Sequence, residues 1–300
     1  MERLKIEEKI IVNSNQVNKM VEEVFSNVKA HAYLRKLGID DETIKNNIDK
    51  IYDFACDMNN CKNCKGIAHC SKEPKFLVTS IEYKNGFVDR NIVPCKKYLE
   101  YVSFRNKFVR YDFPEEWLNN KIGTDVANIR SIAAQAVLKK YKAAISKESS
   151  KWIFLKGDIA SGKSFFAATL LADAGRTNSF NSLAFIDVPS RFKELSDLAF
   201  QKNPLFNSEI EKYQKVECLV LDDFGNEFKS DFVRDNILFP ILSFRIKEKL
   251  FTIITSNYSI EDCASMYQTN MASKPKIEQL RSMLKMVCEK EITLLSPEVR

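Results

Sequence analysis

Hydrophobic residues recur along this chain with two different periods, and the change of period marks its parts. Over residues 1–55 the apolar positions follow the i, i+3, i+4, i+7 spacing of amphipathic helices, with Gly38 between two runs. They are Val17, Met20, Val21, Val24, Phe25 and Val28, followed by Ile44, Ile48, Ile51, Phe54 and Ala55. Such a stripe packs into a core or forms a docking face for a partner, and the pattern leaves both open.

From residue 151 onward, short apolar runs alternate with helix-compatible segments. The runs are 151–156, 183–187, 216–223 and 250–255, and the helical segments are 164–174, 189–200 and 231–247. This alternation predicts an α/β fold with a parallel sheet and helices on both faces. The predicted divisions are a small helical domain over 1–110, a linker and lead-in helix over 111–150, and the sheet domain over 151–300. Aromatic residues between 98 and 113 pack around the linker or offer a stacking platform for single-stranded nucleic acid.

Composition and charge narrow the class of protein. A chain of 300 residues that is 45% hydrophobic and 29% charged can bury a substantial core, which excludes a disordered protein. The net charge of +6 is compatible with a polyanionic partner and equally with a lysine-rich solvated surface. No segment approaches the roughly 18 apolar residues that span a bilayer, and the start is too charged for a secretory signal. We therefore expect a cytoplasmic protein with no membrane partner.

A phosphate-binding loop follows the first apolar run. Its residues are Gly157, Asp158, Ile159, Ala160, Ser161, Gly162, Lys163 and Ser164, which read G-x-x-x-x-G-K-S. The glycines allow a tight turn whose N–H groups point at phosphate oxygens. Lys163 can reach the β- and γ-phosphates, and the Ser164 hydroxyl can bind Mg²⁺. The order of strand, loop and helix places the phosphate at a helix N-terminus, so the sequence predicts nucleotide binding.

Two further polar sites follow apolar runs of the predicted sheet. Asp222 and Asp223 end the run that starts at Val216; Asp222 would hold Mg²⁺, and Asp223 would orient and deprotonate the attacking water. An Asp-rich turn after a strand is the alternative. Asn257 follows the run 250–255 and can contact the γ-phosphate or the water, although turn-forming Asn residues are common at such places. The sequence therefore predicts an ATPase that uses Mg·ATP.

Five of the eight cysteines lie between Cys56 and Cys95, upstream of the sheet domain. Cys61 and Cys64 form a C-x-x-C turn, and Cys70 and Cys95 can complete a tetrahedral four-thiolate site, a set that favours Zn²⁺. Cys56 and His69 are alternative ligands. Free buried thiols are the other interpretation, and a redox C-x-x-C lacks its usual βαβ context. A closed zinc site would stabilise a small N-terminal domain.

Taken together, these motifs resemble those of AAA+ ATPases, and among them the bacterial replicative-helicase loaders of the DnaI/DnaC type. The similar segments are 157–164, 219–225, 233–235, 240–245 and 252–258, together with the cysteine cluster, which is similar to the zinc domain of DnaI-type loaders. The resemblance implies that the N-terminal domain binds the hexameric replicative helicase and that the ATPase domain binds ATP and single-stranded DNA. It assigns the phosphate lysine, the Mg²⁺ ligand, the water-activating acid and the sensor to Lys163, Asp222, Asp223 and Asn257.

The resemblance also implies an arginine supplied by a neighbouring subunit, which requires self-association through the ATPase domain. Family members carry an arginine-rich helix near the C-terminus, where this chain reads KPKIEQLR over 274–281. Arg281 fits the last arginine of that pattern, whereas the leading one is absent or replaced by Lys, which cannot make a planar two-pronged contact. An exposed helical charge is the other interpretation of Arg281, and Arg245 is the reserve candidate for the catalytic arginine.

We therefore predict an ATP-dependent loader of the replicative helicase, active at initiation or restart of replication, with ATP, Mg²⁺ and Zn²⁺ as cofactors. Three alternatives remain. An IstB-like transposition helper shares the ATPase core without needing the cysteines. A P-loop phosphotransferase would use the same loop on a small acceptor, and an adaptor would bind ATP only as a structural ligand.

Overall fold

The computed structural model describes residues 14–123 and 132–295 and divides the chain into two compact units. The first unit extends to Ser103 and the second begins at Phe104. The sequence pattern placed this boundary near residue 110 and treated the next forty residues as a connector, so the second unit begins earlier than the pattern indicates.

The first unit is a helical cluster with one hairpin. Its elements are α1 Ser14–Ser26, α2 Val28–Lys36, α3 Asp41–Asn46, α4 Ile48–Asn60, β1 Leu77–Lys84 and β2 Phe87–Pro94, with α5 Lys96–Arg105 running across the boundary. The strands β1 and β2 are antiparallel. Asn27 and Asp40 cap α2 and α3 by accepting hydrogen bonds from N–H groups of the first turn, which explains where these helices begin.

The apolar stripe of the first 55 residues forms the core of this unit. Val24, Ile44 and Ile51 are completely buried, and Phe54 and Ala55 are nearly so. Other residues of the stripe are partly buried against them; these are Val17, Met20, Val21 and Phe25. Only Val28 departs from the pattern among the stripe residues, since 78% of its surface is exposed. The stripe therefore serves chiefly as internal packing.

The second unit contains a six-stranded parallel sheet; the alternating pattern predicts a parallel sheet and four of its six strands. Its strands are β3 Phe108–Tyr111, β4 Ile153–Lys156, β5 Leu183–Asp187, β6 Cys218–Asp222, β7 Phe251–Ser256 and β8 Glu291–Thr293, in the order β3-β5-β6-β7-β4-β8. Every pairing is parallel. Strand β7 therefore lies between β4, which precedes the phosphate loop, and β6, which ends in the acidic pair.

Helices cover both faces of this sheet. They are α6 Ile132–Ile145, α7 Lys163–Arg176, α8 Val188–Phe200, α9 Leu205–Lys215, α10 Phe239–Lys247, α11 Ile260–Ser265 and α12 Lys274–Cys288, with a π-helical turn Val233–Leu238 leading into α10. Alternate strand residues enter two separate cores: Phe154, Leu221 and Ile254 pack with α8, α9, α10 and α12, whereas Leu155, Val220 and Ile253 pack with α6 and α7. Burial on both faces explains why these strands read as continuous apolar runs.

Residues 108–110, which the sequence assigns to the helical domain, and the described part of the predicted linker both belong to the second unit. Strand β3 pairs with β5 at the sheet edge. The aromatic side chains around it pack in place: the rings of Phe113 and Phe185 lie 5.0 Å apart, and those of Trp117 and Phe165 lie 5.3 Å apart. Of the two interpretations of the aromatic segment, the structure shows packing for these residues.

Candidate functional site

The phosphate loop and the acidic pair meet at one edge of the sheet because their strands flank β7. Lys156 at the end of β4 lies opposite Ser256 at the end of β7, and Leu221 of β6 lies opposite Ile254. The Gly157 N–H donates to the Ser256 carbonyl at 3.2 Å. The carboxyl ends of neighbouring parallel strands form the crevice in which ligands of open α/β sheets bind.

Glycines are required at two points of the loop between β4 and α7. A Cβ atom on Gly157 would lie 2.4 Å from the Leu294 carbonyl oxygen, so no larger residue fits. Gly162 has φ of +83° and directly precedes α7, in the left-handed region that favours glycine. The loop therefore runs directly into the N-terminus of a 14-residue helix. The free backbone N–H groups at such a terminus bind phosphate.

Lys163 lies inside the loop and is almost completely buried. Its Nζ donates to the carbonyls of Gly157 and Asp158, both at 2.8 Å. Burial lowers the pKa of this ammonium, and the nearby carboxylates of Asp223, Asp222 and Asp158 act in the opposite direction. The lysine is therefore a cation held next to the acidic pair, and a phosphate group would give it a strong acceptor.

Asp222 is buried at the end of β6 and has oxygen-bearing neighbours. Thr255 Oγ1 donates to its Oδ1 at 2.5 Å. Burial raises the pKa of Asp222, while hydrogen bonds from Thr255 and from Ser164 of the phosphate loop lower it. A buried carboxylate beside the Ser164 hydroxyl is a donor set that fits Mg²⁺, which takes oxygen ligands from one or two carboxylates and keeps several waters.

Asp223 follows with a different backbone conformation, at φ of +57°. Its N–H donates to Thr255 Oγ1 at 3.0 Å, and its Oδ1 accepts from Asn226 Nδ2 at 2.6 Å. The Thr255 hydroxyl therefore contacts both acids, at the side chain of Asp222 and at the backbone N–H of Asp223. Sequence reasoning missed this threonine and Asn226; a polar residue in the apolar strand β7 was the available signal for Thr255.

Comparison with known proteins agrees with this geometry. Residues 126–281, more than half of the chain, match the family of IstB-like ATP binding proteins. The chain belongs to this family. ATP is thus the nucleotide of the loop, and the paired acids together with the family support ATPase activity.

Individual proteins are similar to this chain over a larger part of its length than residues 126–281. The replicative helicase loader DnaI of Bacillus subtilis (strain 168) is 23% identical over 263 residues, which cover 82% of this chain and 80% of that protein. A crystal structure of DnaI aligns with a TM-score of 0.54 at 23% identity, over 63% of this chain and 98% of that one. A putative primosome component from Streptococcus pyogenes serotype M3 aligns with a TM-score of 0.50 at 21% identity, over 66% and 98%. At these identities, the two solved structures show that the chain shares their fold.

Two further predicted site residues of this IstB-like ATPase, Asn257 and Arg281, lie in different surroundings. Asn257 directly follows β7 and is half-buried, which places it between the strands of the phosphate loop and the acids. Arg281 lies on α12 and contacts its own unit: its guanidinium lies 2.7 Å from Glu261 Oε1 and 2.5 Å from Glu278 Oε1. These carboxylates raise the pKa of Arg281, and the hydrogen bond that Arg281 donates to Glu278 contributes most.

Arg245, the reserve candidate for a catalytic arginine, is a structural residue, and that assignment is wrong. Its side chain is completely buried. It donates to the carbonyls of Tyr213, Val216 and Phe251 at 3.0, 2.6 and 2.5 Å, and to Thr252 Oγ1 at 2.9 Å. Burial lowers its pKa to about 9, which leaves it charged at neutral pH. It therefore ties the end of α9 to β7 and is inaccessible to a neighbouring subunit.

Replacement of this arginine should destabilise the second unit strongly. Arg245→Ala leaves three buried carbonyls without donors, and each stranded group costs about 1–3 kcal/mol, so we expect a loss of at least about 3 kcal/mol. Urea unfolding of the whole chain would measure it. Lys247→Ala, at an exposed position of the same helix, is the control and should change the free energy of unfolding by less than about 0.5 kcal/mol. Equal effects of the two changes would contradict the structural role.

The cysteine cluster lies in the first unit, with Cys56 on α4 and the other four cysteines between α4 and α5. The thiols of Cys64 and Cys95 both contribute to raising the pKa of Cys61, which burial raises most. Backbone N–H groups of Phe76 and Lys72 donate to Cys70 and lower its pKa. Nevertheless, within residues 14–123 and 132–295 no group of three or more His, Cys, Asp or Glu side chains is arranged to hold a metal ion. The predicted zinc site, with Cys61, Cys64, Cys70 and Cys95 as ligands, is therefore not shown.

Of the helices that the structure describes, none combines the length and the apolar character needed to cross a bilayer.

Proposed function

We propose that this IstB-like ATPase is an ATP-dependent loader that places the replicative DNA helicase on single-stranded DNA during initiation or restart of replication. The observation that carries the proposal is the extent of similarity to DnaI. It covers 82% of the chain, whereas the IstB-like match is confined to residues 126–281. The similarity to a helicase loader therefore includes residues of the first unit, which lie outside the shared ATPase core.

In the proposed ATPase cycle, each residue of the nucleotide site would have its own task. Lys163 would exchange its carbonyl partners for the β- and γ-phosphates, and the loop N–H groups would hold the phosphate oxygens. Ser164 and Asp222 would hold Mg²⁺, which neutralises charge on the phosphate oxygens. Asp223 would accept the proton of the attacking water, and Asn257 would orient that water or the γ-phosphate.

A neighbouring subunit would complete the reaction with an arginine, so turnover would depend on self-association. Arg281 remains our candidate, and its ion pairs with Glu261 and Glu278 would have to be exchanged for contacts across the interface. Because an arginine in trans stabilises charge on the transferred phosphate, Arg281→Ala would lower turnover with little effect on ATP binding by the isolated chain.

A loading assay tests the function directly. The purified chain would be mixed with the replicative helicase of the same cell, single-stranded DNA and ATP. Complex formation would be followed by size-exclusion chromatography, and loading by helicase activity on a closed circular template. We expect a stable complex and loading that requires ATP. A chain that neither binds the helicase nor changes its loading would overturn the proposal.

The family match itself favours one alternative, an IstB-like helper of transposition. Such a protein would need the ATPase unit but not the first unit. Deletion of residues 1–103 separates the two functions, since it would abolish helicase binding by a loader and leave the DNA-dependent ATPase of a transposition helper intact. A phosphotransferase is separated from both by following the label of γ-phosphate, which goes to water in an ATPase and to an acceptor in a transferase.

We also propose that the first unit holds zinc and contacts the helicase, and that the protein acts in the cytoplasm, where the chromosome lies. Support for zinc comes from the C-x-x-C spacing and from the thiols of Cys64 and Cys95, which lie close enough to Cys61 to raise its pKa. The N–H groups that donate to Cys70 are of the kind that stabilise a metal-bound thiolate.

Zinc content is measurable on the purified chain. We expect about one zinc per chain by elemental analysis, and loss of helical circular dichroism from the first unit on chelation, because structural zinc stabilises the fold that binds it. Cys61→Ser should lose the metal, whereas Cys56→Ser, the control at the neighbouring cysteine, should retain it. A metal-free wild-type chain with full helicity would remove zinc from the proposal, and loss of zinc from Cys56→Ser would reassign that ligand.

A further inference from the structure

The loop after β6 carries the proposed water-activating acid in a conformation that needs support from outside. Asp223 has φ of +57° and Gly225 has φ of +102°. An aspartate in the left-handed region is disfavoured and persists where surrounding contacts hold it. Gly225 is closely packed as well, since a Cβ atom there would lie 2.8 Å from the Tyr258 ring. The direction of the Asp223 carboxylate therefore depends on what fixes this turn.

Three successive N–H groups of the turn are each held by a defined acceptor. Thr255 of β7 accepts from Asp223 with its hydroxyl at 3.0 Å and from Phe224 with its carbonyl at 2.9 Å. The third N–H, that of Gly225, donates to Glu227 Oε2 at 2.7 Å. Glu227 thus completes the support of the turn, and it does so with a carboxylate that no sequence motif assigned.

Glu227 is itself fixed by a residue beyond the sheet. Its side chain is completely buried, and its Oε1 accepts from the Tyr267 hydroxyl at 2.6 Å. Tyr267 is completely buried just after α11, and its carbonyl accepts from Arg234 at 3.4 Å. Lys229 Nζ lies 3.8 Å from Glu227 and supplies a positive charge. Each carboxylate oxygen therefore has one strong donor, and loss of either donor would allow the side chain to turn.

Burial of a carboxylate destabilises a fold, so the presence of Glu227 in the interior needs an explanation. Desolvation of a charged group costs several kcal/mol, and apolar residues of similar volume are often equally stabilising. What an apolar residue cannot supply is the acceptor for Gly225. Through this hydrogen bond, Glu227 supports the turn that carries the proposed general base.

We propose that Glu227 and Tyr267 are positioning residues for ATP hydrolysis, which hold the turn 223–225 so that the Asp223 carboxylate points at the attacking water. The inference rests on the proposed ATPase cycle and deepens it. Neither residue touches the nucleotide in this scheme. Their effect is on the rate of the chemical step and not on the affinity for ATP.

The first test compares two buried tyrosines that donate to carboxylates. Tyr267→Phe removes the donor to Glu227. Tyr141→Phe removes the matched donor to Asp173, at 2.7 Å in the core on the other face of the sheet. We expect Tyr267→Phe to lower kcat about 10- to 100-fold with Kd for Mg·ATP unchanged, because a small misplacement of a catalytic group has effects of that size. Tyr141→Phe should lower thermal stability by a similar amount and leave kcat unchanged.

The second test asks whether the effect passes through Asp223. In an Asp223→Asn background, Tyr267→Phe should lower the residual rate by less than about twofold, since groups that act as a unit are not additive. Glu227→Gln keeps one acceptor and should fall between the wild type and Glu227→Ala. Thermal unfolding identifies the variants that are folded at the assay temperature, and Glu227→Gln carries the test if Tyr267→Phe is unfolded.

The outcomes separate this inference from the proposed function. Wild-type turnover together with an unchanged kcat in Tyr267→Phe and Glu227→Gln would overturn the positioning role and leave the ATPase intact. Full additivity with Asp223→Asn would also overturn it, since the residues would then act elsewhere. A wild-type chain with helicase and DNA that does not hydrolyse ATP would overturn both.

Discussion

Lys163→Ala is expected to abolish measurable ATP binding. The ammonium is the buried cation of the phosphate loop, and its present acceptors are two loop carbonyls. Loss of one partner of a buried, hydrogen-bonded charge pair costs about 2–5 kcal/mol, which is roughly 30-fold to several thousand-fold in Kd. Isothermal titration calorimetry with Mg·ATP would measure the change.

The consequences of this substitution should be confined to the second unit. The first unit has its own core and should remain folded, which the retention of its helical signal and of any bound zinc would show. Lys247→Ala removes an exposed lysine from α10 and should bind ATP like the wild type. Unchanged ATP affinity in Lys163→Ala would refute the assignment of the phosphate loop.

Asp223→Asn is expected to keep Mg·ATP bound and to slow hydrolysis about 10²- to 10⁴-fold, the usual contribution of a general base. The amide cannot accept the proton of the attacking water. It can retain the contact with Asn226 through its oxygen, so the shape of the turn need not change. Single-turnover hydrolysis, measured with helicase and single-stranded DNA present, separates this chemical step from binding.

Asp197→Asn provides the matched control, because this carboxylate is exposed on α8. It should leave both binding and turnover unchanged. An undiminished rate in Asp223→Asn would remove that residue from the chemistry and direct attention to another base. A loss of Mg·ATP binding in the same variant would instead assign Asp223 to the metal.

The sheet domain was predictable from the sequence because its strands are buried on both faces. Four of these strands read as mainly apolar runs, and the residues at their ends, Gly157, Asp222 and Asn257, locate the crevice. Strand β3 escaped detection because it is a four-residue edge strand inside an aromatic segment. Its sequence is equally typical of a packed connector, and only pairing with β5 identifies it as part of the sheet.

Residues that act through long-range contacts were beyond the reach of the sequence. Glu227 and Tyr267 are forty positions apart, and nothing in either local sequence indicates that the carboxylate is buried. The role of Arg245 could not be predicted for the same reason, because its exposure in the fold decides whether it can act across an interface. Local motifs identify functional residues that recur at fixed sequence spacing. Hydrogen bonds between polar groups far apart in sequence depend on the completed fold. The proposed zinc ligands pose the same problem, because spacing alone does not establish a coordination sphere.

The C-terminal end of β7 is a shared anchor for both halves of the nucleotide site. Thr255 holds the backbone of Asp223 and Phe224, and Ser256 accepts from Gly157 at the base of the phosphate loop. A force that shifted this strand end would carry both walls of the crevice with it. A bound protein that displaced this strand end would then change both the affinity for the nucleotide and the rate of its hydrolysis through one movement.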